Sequence, residues 1–504
     1  MGIKDRTDCR TAVSMSGIRG EDEETMRTRN LSGKETFLRP LIAAFSLVTV
    51  LICQLEPARC EDMDSGQSGP ASPVQKVADA WADWPQSKNF KITLEYRNYS
   101  YFEEESRGDS TDSINEGRLR VEYDTYVADN MRVYIDALLQ ADDAGFTHGF
   151  VDDFEDDDLK RNYFNFTEAF LDIYLDTVDL RLGKQIVKWG KADAANPTDN
   201  VSPTDYANLL DEDDIGVVAA SLTHYWNGWS LQVVGVPGFT PTRLPPRGTR
   251  FSLFPPDPYV TIKDPALPFD LRIPIEDPEL PPNTIDNSQF GLRLQTTYRG
   301  WDFSVSYYDG VNDVPAATMR YTEIPLIPVP VPVAIVPVYN RFRAFGGDFA
   351  TTFGRWGLHG EAAQLVFDGN EEDSRFQYVI GIDYTQSNII RDHDLFVILE
   401  YVGEDVTKEG TGLDLGGPPL DRVLTSAVAT RIMYEFTEYT RLEVDGAIDL
   451  YQGDDYYLQP QLIHEMTDNF EVAVGVDLLG GPRDTFLGQF KDNDRFFLKL
   501  KYTF

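Results

Sequence analysis

Acid–base or metal chemistry in this chain would fall first to its five histidines, His148, His224, His359, His393 and His464. They are scattered, and none shows the H-E-x-x-H spacing that sets two imidazoles on one helical face around zinc. A hydrolase built on strands would need a serine, a histidine and a carboxylate or amide on neighbouring strands. No local signature ties His224, His359 or His464 to a serine, so each is read as a wall residue. Thiolate chemistry is confined to Cys9, Cys53 and Cys60, all ahead of residue 61. Two acidic runs offer hard oxygen ligands for Ca2+ or Mg2+: Asp152, Asp153, Glu155, Asp156, Asp157 and Asp158, then Asp211, Glu212, Asp213 and Asp214. Neither has the EF-hand spacing with its central glycine and terminal glutamate, and both read as solvated acidic loops. No phosphate-cradling glycine loop and no haem-attachment Cys-x-x-Cys-His occurs. The expectation is no enzyme, no cofactor and no resident metal.

The elements that would carry these residues follow from composition. The chain has 504 residues, a formal net charge of -38, and 12% aromatics, including 25 Tyr and 30 Phe. Its mean hydropathy is nevertheless only -0.34. The acidic balance excludes the basic patches of a nucleic-acid binder. Past residue 60 no apolar run reaches the roughly 18 residues that a membrane helix needs. Near the N-terminus, the apolar stretch from Pro40 to Cys53 follows Arg27, Arg29, Lys34 and Arg39. That is the charged and apolar sequence of a secretory signal. Ala58 and Cys60 place cleavage before Glu61, making 1–60 a leader, with Met26 as an alternative start. Removal of the leader takes every thiol with it, which suits an oxidising periplasm. Residues 61–88 read as a polar linker in which Val74, Val77, Trp81 and Trp84 recur at near-helical spacing, either a short periplasmic helix or a flexible tail.

From residue 89 onward the dominant signal is alternation. In the last eleven residues Phe496, Leu498, Leu500, Tyr502 and Phe504 share one face, and Arg495, Phe497, Lys499, Lys501 and Thr503 the other. Period two is the side-chain repeat of a strand with one apolar and one polar face. The pattern predicts strands at 89–101, 115–128, 130–140, 164–177, 178–189, 216–226, 229–238, 287–299, 301–309, 340–353, 356–367, 375–386, 393–403, 421–435, 438–450, 456–467, 469–479 and 494–504. Every second connection is a tight turn, such as Asp129-Asn130, Asn227-Gly228 and Gly354-Arg355, with a looser one near Asn388–Asp392. Short turns on one side and long loops on the other are the layout of a membrane barrel. The fold class expected is all-β: a transmembrane antiparallel up-and-down β-barrel over 89–504, of about 18 strands, with 16 also compatible.

In such a barrel the polar face lines the lumen. The expected lining is Arg118, Arg120, Glu122, Asp124, Arg132, Asp136, Glu168, Asp172, Arg181, Arg293, Glu443, Asp445, Glu471, Lys499 and Lys501. Inward acids outnumber bases, which points to a weak cation preference. Trp189, Trp226, Trp229, Trp301, Tyr307 and Trp356 fit interfacial girdles. The proline-dense loop 239–286 is long enough to enter the lumen as a constriction. The apolar, donor-poor loop 310–339 is expected against lipid, the lumen wall or a partner.

Residues 183–214 add a resemblance. Gly183, Gln185, Trp189, Gly190, Asn196, Pro197, Asp199, Pro203 and Asp205 match a G-[RK]-Q-x-x-x-W-G, N-P-x-D, P-x-D pattern. This, with the C-terminal Phe504, resembles a largely uncharacterised family of porin-like bacterial outer-membrane β-barrel proteins. The resemblance implies a bacterial outer-membrane location and names no substrate. Physically, a strand exits at Trp189 into a loop pinned by Asn-Pro and Pro-x-Asp turns, which folds against the inner wall. The partners implied are membrane lipid, lipopolysaccharide sharing divalent ions with the acidic loops, and the barrel assembly machinery reading the strand that ends at Phe504. The functional expectation is a channel for small hydrophilic solutes or ions. The alternative is a plugged barrel that sheathes a partner protein such as a cytochrome or a surface complex.

Overall fold

The computed structural model describes residues 89–150, 158–254, 257–262, 271–323, 330–390, 392–413, 422–451 and 455–504. The leader expected at 1–60, the linker at 61–88 and all but Asp158 of the first acidic run lie outside the described residues. Within the unit Lys88–Phe504, 18 strands form one sheet. They are β1 (Phe90–Tyr101), β2 (Ser113–Ala128), β3 (Met131–Asp142), β4 (Phe164–Tyr174), β5 (Val178–Gln185), β6 (Val217–Trp226), β7 (Trp229–Val236), β8 (Gln289–Tyr298) and β9 (Trp301–Val311). The ring continues with β10 (Arg341–Phe353), β11 (Trp356–Phe367), β12 (Ser374–Ile390), β13 (His393–Lys408), β14 (Ser426–Thr437), β15 (Thr440–Asp449), β16 (Asp455–Thr467), β17 (Phe470–Gly480) and β18 (Arg495–Thr503).

Each strand pairs antiparallel with the next, and β18 returns to β1 with Thr93 opposite Thr503 and Tyr101 opposite Arg495. The ring is closed, so no strand is left with an unpaired edge, the condition for a sheet in hydrocarbon. The alternating pattern explains the two surfaces. Val305, Phe345, Ile380, Ile382, Leu399 and Leu462 are large apolar residues left exposed on the strands, an exterior that an apolar surrounding satisfies. At the tight-turn end Trp226, Trp229, Tyr298, Phe353 and Trp356 remain exposed as a belt.

Tight turns join alternate strands. Asn227 and Gly228 both take positive φ, at 45° and 81°, the geometry of a primed two-residue hairpin turn that matches strand twist. The looser connection expected near 388–392 is a β12 that runs on to Ile390, with a register irregularity between Gln386 and Ile390. β12 and β13 therefore extend beyond the expected 375–386 and 393–403.

In the described part of the apolar proline loop Ala334, Ile335 and Val336 are buried, and Ile335 clusters with Ile273 and Ile275 of the other proline-rich loop; residues 324–329 lie outside the described residues. Residues 259–262 pair with 271–274, and 316–322 with 331–338. Bridges from Ile275 to Ile335 and from Glu279 to Val338 join the two hairpins. Prolines 332 and 337 are tolerated because this is a two-stranded ribbon, with a register shift at Arg320/Tyr321 where Pro332 pairs. One girdle expectation is corrected: Trp189 is 3% exposed inside the molecule.

Candidate functional site

Between β5 and β6 the chain leaves the wall for Ile186–Gly216. At its tip the backbone N–H of Lys191 donates to Glu361 Oε2 on β11 at 2.7 Å. Those of Asp193 and Ala194 donate to the two oxygens of Glu400 on β13, at 2.9 and 2.7 Å. Further along, Asp211 accepts from Arg97 on β1 at 2.8 Å and from Lys499 on β18 at 3.0 Å, and also from the Tyr99 hydroxyl. Asp213 pairs with Arg118 on β2, so the acidic run Asp211–Asp214, expected as a solvated loop, is instead drawn inward by basic residues of the wall. A segment that starts at β5 and touches β11 and β13, then β1, β2 and β18, meets opposite sides of a closed ring. Its wall partners include mid-strand residues, so it runs through the interior. The internal segment Ile186–Gly216 therefore joins the loop expected inward at 239–286, part of which is buried against it. The stretch Thr242–Phe251 lies against that segment and the strand ends: Arg243 reaches Asp205 at 3.3 Å, and Arg250 donates to the Thr111 and Glu103 carbonyls, both at 2.8 Å.

The motif residues explain how a loop holds this path. Trp189 sits in a buried cluster with Val187, Val201, Val234, Tyr308 and Phe342, and its indole N–H donates to Gln232 Oε1 at 2.9 Å. The ring fits because β8 offers Gly291 beneath it; a Cβ there would lie 2.7 Å from the indole. Asp199 Oδ1 accepts the Trp189 backbone N–H at 3.2 Å, and Asn196 closes the Asn-Pro turn by accepting the Asp199 N–H at 3.0 Å. Asp205 Oδ1 caps Ala207 N–H at 3.0 Å, while its other oxygen takes Arg161 at 2.9 Å. Gln185 anchors the root on the Ala219 carbonyl at 2.9 Å.

Electrostatics differ along the loop. Burial alone would raise the Asp205 carboxyl, but Arg161 and Arg243 outweigh it and hold it at about 2. Asp211 is likewise buried, yet Arg97 and Lys499 keep it well below the carboxylate range. For Asp199, burial wins over the Trp189 N–H and Lys188 and pushes it up to about 7.

The remaining charged residues of the same strand faces form lateral ladders. Arg132 bonds Asp124 at 2.7 Å and Asp172 at 3.2 Å, and Arg181 bonds Asp172 at 2.7 Å. Arg120 lies 3.5 Å from Asp136, and Lys91 2.8 Å from Glu122. Arg293 bonds Asp348 at 2.9 Å, Arg431 bonds Asp445 at 2.7 Å, and Arg441 bonds Glu443 at 2.8 Å and Glu471 at 3.5 Å. Glu168 accepts the Ile186 N–H at 2.9 Å, and Lys501 stands in register between Glu95 and Glu471. Opposite charges thus sit side by side on neighbouring strands.

Sequence reasoning missed Glu361 and Glu400, the two wall carboxylates that hold the loop tip, because nothing local distinguishes them from other strand acids. It also missed a convergence. Ligand atoms of Asp193, His359 and Glu400 lie within 4.8 Å of one another, from three segments that no spacing pattern connects.

Residues 78–365 match the family described as Protein of unknown function (DUF1302). In fold, the chain is similar to the crystal structure of Pseudomonas aeruginosa OccK11 (OpdR), at 10% identity over 82% of this chain and 95% of that one, with a TM-score of 0.44. It is similar to a mutant of the Rh. blastica porin at 11% identity, 82% and 99% coverage and a TM-score of 0.36. A loop-deletion mutant of OmpT, an outer membrane protein of Vibrio cholerae, gives 11%, 82% and 98%, and 0.36. No curated protein matches the chain in sequence.

Proposed function

We propose that this chain, which belongs to the family Protein of unknown function (DUF1302), is a porin-like channel of the bacterial outer membrane, passing small hydrophilic solutes or ions past its own internal loop. The observation that carries this reading is Ile186–Gly216, tied at mid-height to opposite walls by hydrogen bonds and ion pairs. A barrel of roughly 16–18 strands encloses an aqueous channel unless something fills it, and a segment laid across it narrows the route without sealing it. In this reading the ladder residues from Arg118 to Lys501 line the lumen. Lateral pairing leaves their field mild, with the acid excess favouring cations weakly. A polar recess of about 290 Å³ beside the loop root, walled by Arg181, Lys188, Ser221 and Gln232, gives a small polar solute a resting place. The tight turns face the periplasm, and the opposite rim faces lipopolysaccharide.

The test is single-channel conductance of the purified protein in a planar bilayer. Steady steps with reversal potentials on the cation side are expected. Anion-side potentials would reject the selectivity. Silence from a folded, heat-modifiable barrel would reject the channel in favour of a sheath for a partner protein. One observation favours that second reading: Leu209, Phe251, Phe486 and Phe490 form a buried cluster with Leu479, against which Tyr101 packs, holding several loops together at the long-loop ends of β1 and β17.

A further inference from the structure

We propose that the loop tip and the wall together form a binding site for one divalent transition-metal ion, with Asp193, His359 Nε2 and Glu400 as its protein ligands. This inference does not depend on the pore being open.

The argument begins with the register. His359 on β11 stands opposite Gly381 on β12, which stands opposite Glu400 on β13. Neighbouring strands would normally interpose a side chain between residues two strands apart. Here a Cβ at Gly381 would overlap the imidazole Nε2 and crowd Glu400 Cγ, so the missing side chain is what lets the pair meet, at 2.6 Å. Both residues are buried, and Asp193 is brought over them from the lumen side with its carboxylate half exposed. An ion arriving from water therefore has a way in, and the two inner ligands are already fixed.

The second shell has the form that metal-bound histidines use. Ligating imidazoles as a rule pass their other ring N–H to a carboxylate, which fixes tautomer and ring orientation. His359 Nδ1 faces Asp383 Oδ2 at 3.3 Å. Glu400 is itself held by the Asp193 and Ala194 backbone N–H groups. The competing cation is Arg431, 3.3 Å from one oxygen of Asp193, which leaves the other oxygen to turn inward. Around a tetrahedral zinc, at about 2.0–2.2 Å per bond, ligand atoms stand roughly 3.3 Å apart. The ligand atoms lie within 4.8 Å of one another; an ion displaces the proton shared by His359 and Glu400, opening their 2.6 Å contact to that spacing, and rotation of the Asp193 side chain brings in the third ligand. One imidazole with two carboxylates suits zinc, nickel or copper, whereas Ca2+ and Mg2+ prefer all-oxygen shells. Bound metal would rivet the loop tip to β11 and β13.

The full chain, stripped with EDTA in detergent, is titrated with Zn2+ by calorimetry, and with Co2+ while its visible absorption is followed. One ion per chain is expected, with a Co2+ band. H359Q should abolish the site, D193N should weaken it at least about 10-fold, and D383N should weaken it about 10- to 100-fold, as for other second-shell losses. D193N changes a loop side chain outside the strand ladder, so it tests the site even if H359Q folds poorly; heat-modifiable migration checks each variant. Absence of stoichiometric binding, or binding that D193N, D383N and H359Q all retain, would overturn the proposal. The second result would mean that the metal sits elsewhere on the chain.

Discussion

His359 and Glu400 meet across a strand only because Gly381 has no side chain, and the same device recurs where Trp189 lies on Gly291. Single residues of the wall thus decide where the internal loop can rest. Glu400 carries the greater share at the tip, since both of its oxygens accept loop N–H groups. Displacing it should release those donors to water, at a net cost of the order of 1 kcal/mol per hydrogen bond. Gly381→Ala is expected to raise hydrogen exchange at the Asp193 and Ala194 amides about 10-fold, while strand amides keep their protection. Unchanged exchange at both amides would show that the His359–Glu400 contact does not hold the tip.

As an element, Ile186–Gly216 is held by groups that titrate in opposite senses. Asp205 sits at about 2 when docked, below its ordinary 3.8, so its contribution is present above 3.8 and is lost as pH falls toward 2. Asp199 sits at about 7, above the same ordinary value. Its contribution is full below 3.8 and is lost as pH rises through 7. Docking is therefore tightest near pH 4 and weakens from there as pH rises toward 7. Exchange at the Trp189 amide, corrected for intrinsic rate, should speed up by on the order of 10- to 100-fold between pH 5 and 8. Asp199→Asn should flatten that rise. Equal corrected rates at both pH values in the native chain would refute the assignment.

At the scale of the molecule, closure depends on β18 finding β1. The last residue is part of that seam, because the Phe504 N–H donates to the Ile92 carbonyl at 2.9 Å. Its ring stays exposed and lies 4.7 Å from that of Tyr502. One backbone hydrogen bond is a small part of an 18-strand ladder; we propose that the exposed ring serves recognition during insertion rather than stability afterwards. Deletion of Phe504 should lower the amount of protein reaching the membrane several-fold, yet leave a heat-modifiable barrel when the chain is refolded in detergent. Equal loss in both settings would make the residue structural.

The barrel was legible in the residues because period-two alternation and turn chemistry are local. A one-residue slip would put a whole apolar set on the wrong face, so pattern and register constrain each other from Phe90 to Thr503. The tight turns at Asn227-Gly228 and Gly354-Arg355 were legible for the same reason. The motif from Gly183 to Asp205 announced an ordered loop, and its turns could be read from Asn196-Pro197 and Pro203. That it folds against the inner wall could be expected as well; which wall residues receive it could not, because Glu361, Glu400, Arg97 and Lys499 belong to strands far away in sequence, and their facing positions follow from ring closure alone. The pairing of the two proline-rich loops and the burial of Trp189 were hidden likewise: each needs a surface supplied by another part of the chain. Local alternation is written residue by residue, whereas contacts across a lumen exist only once the ring has closed around it.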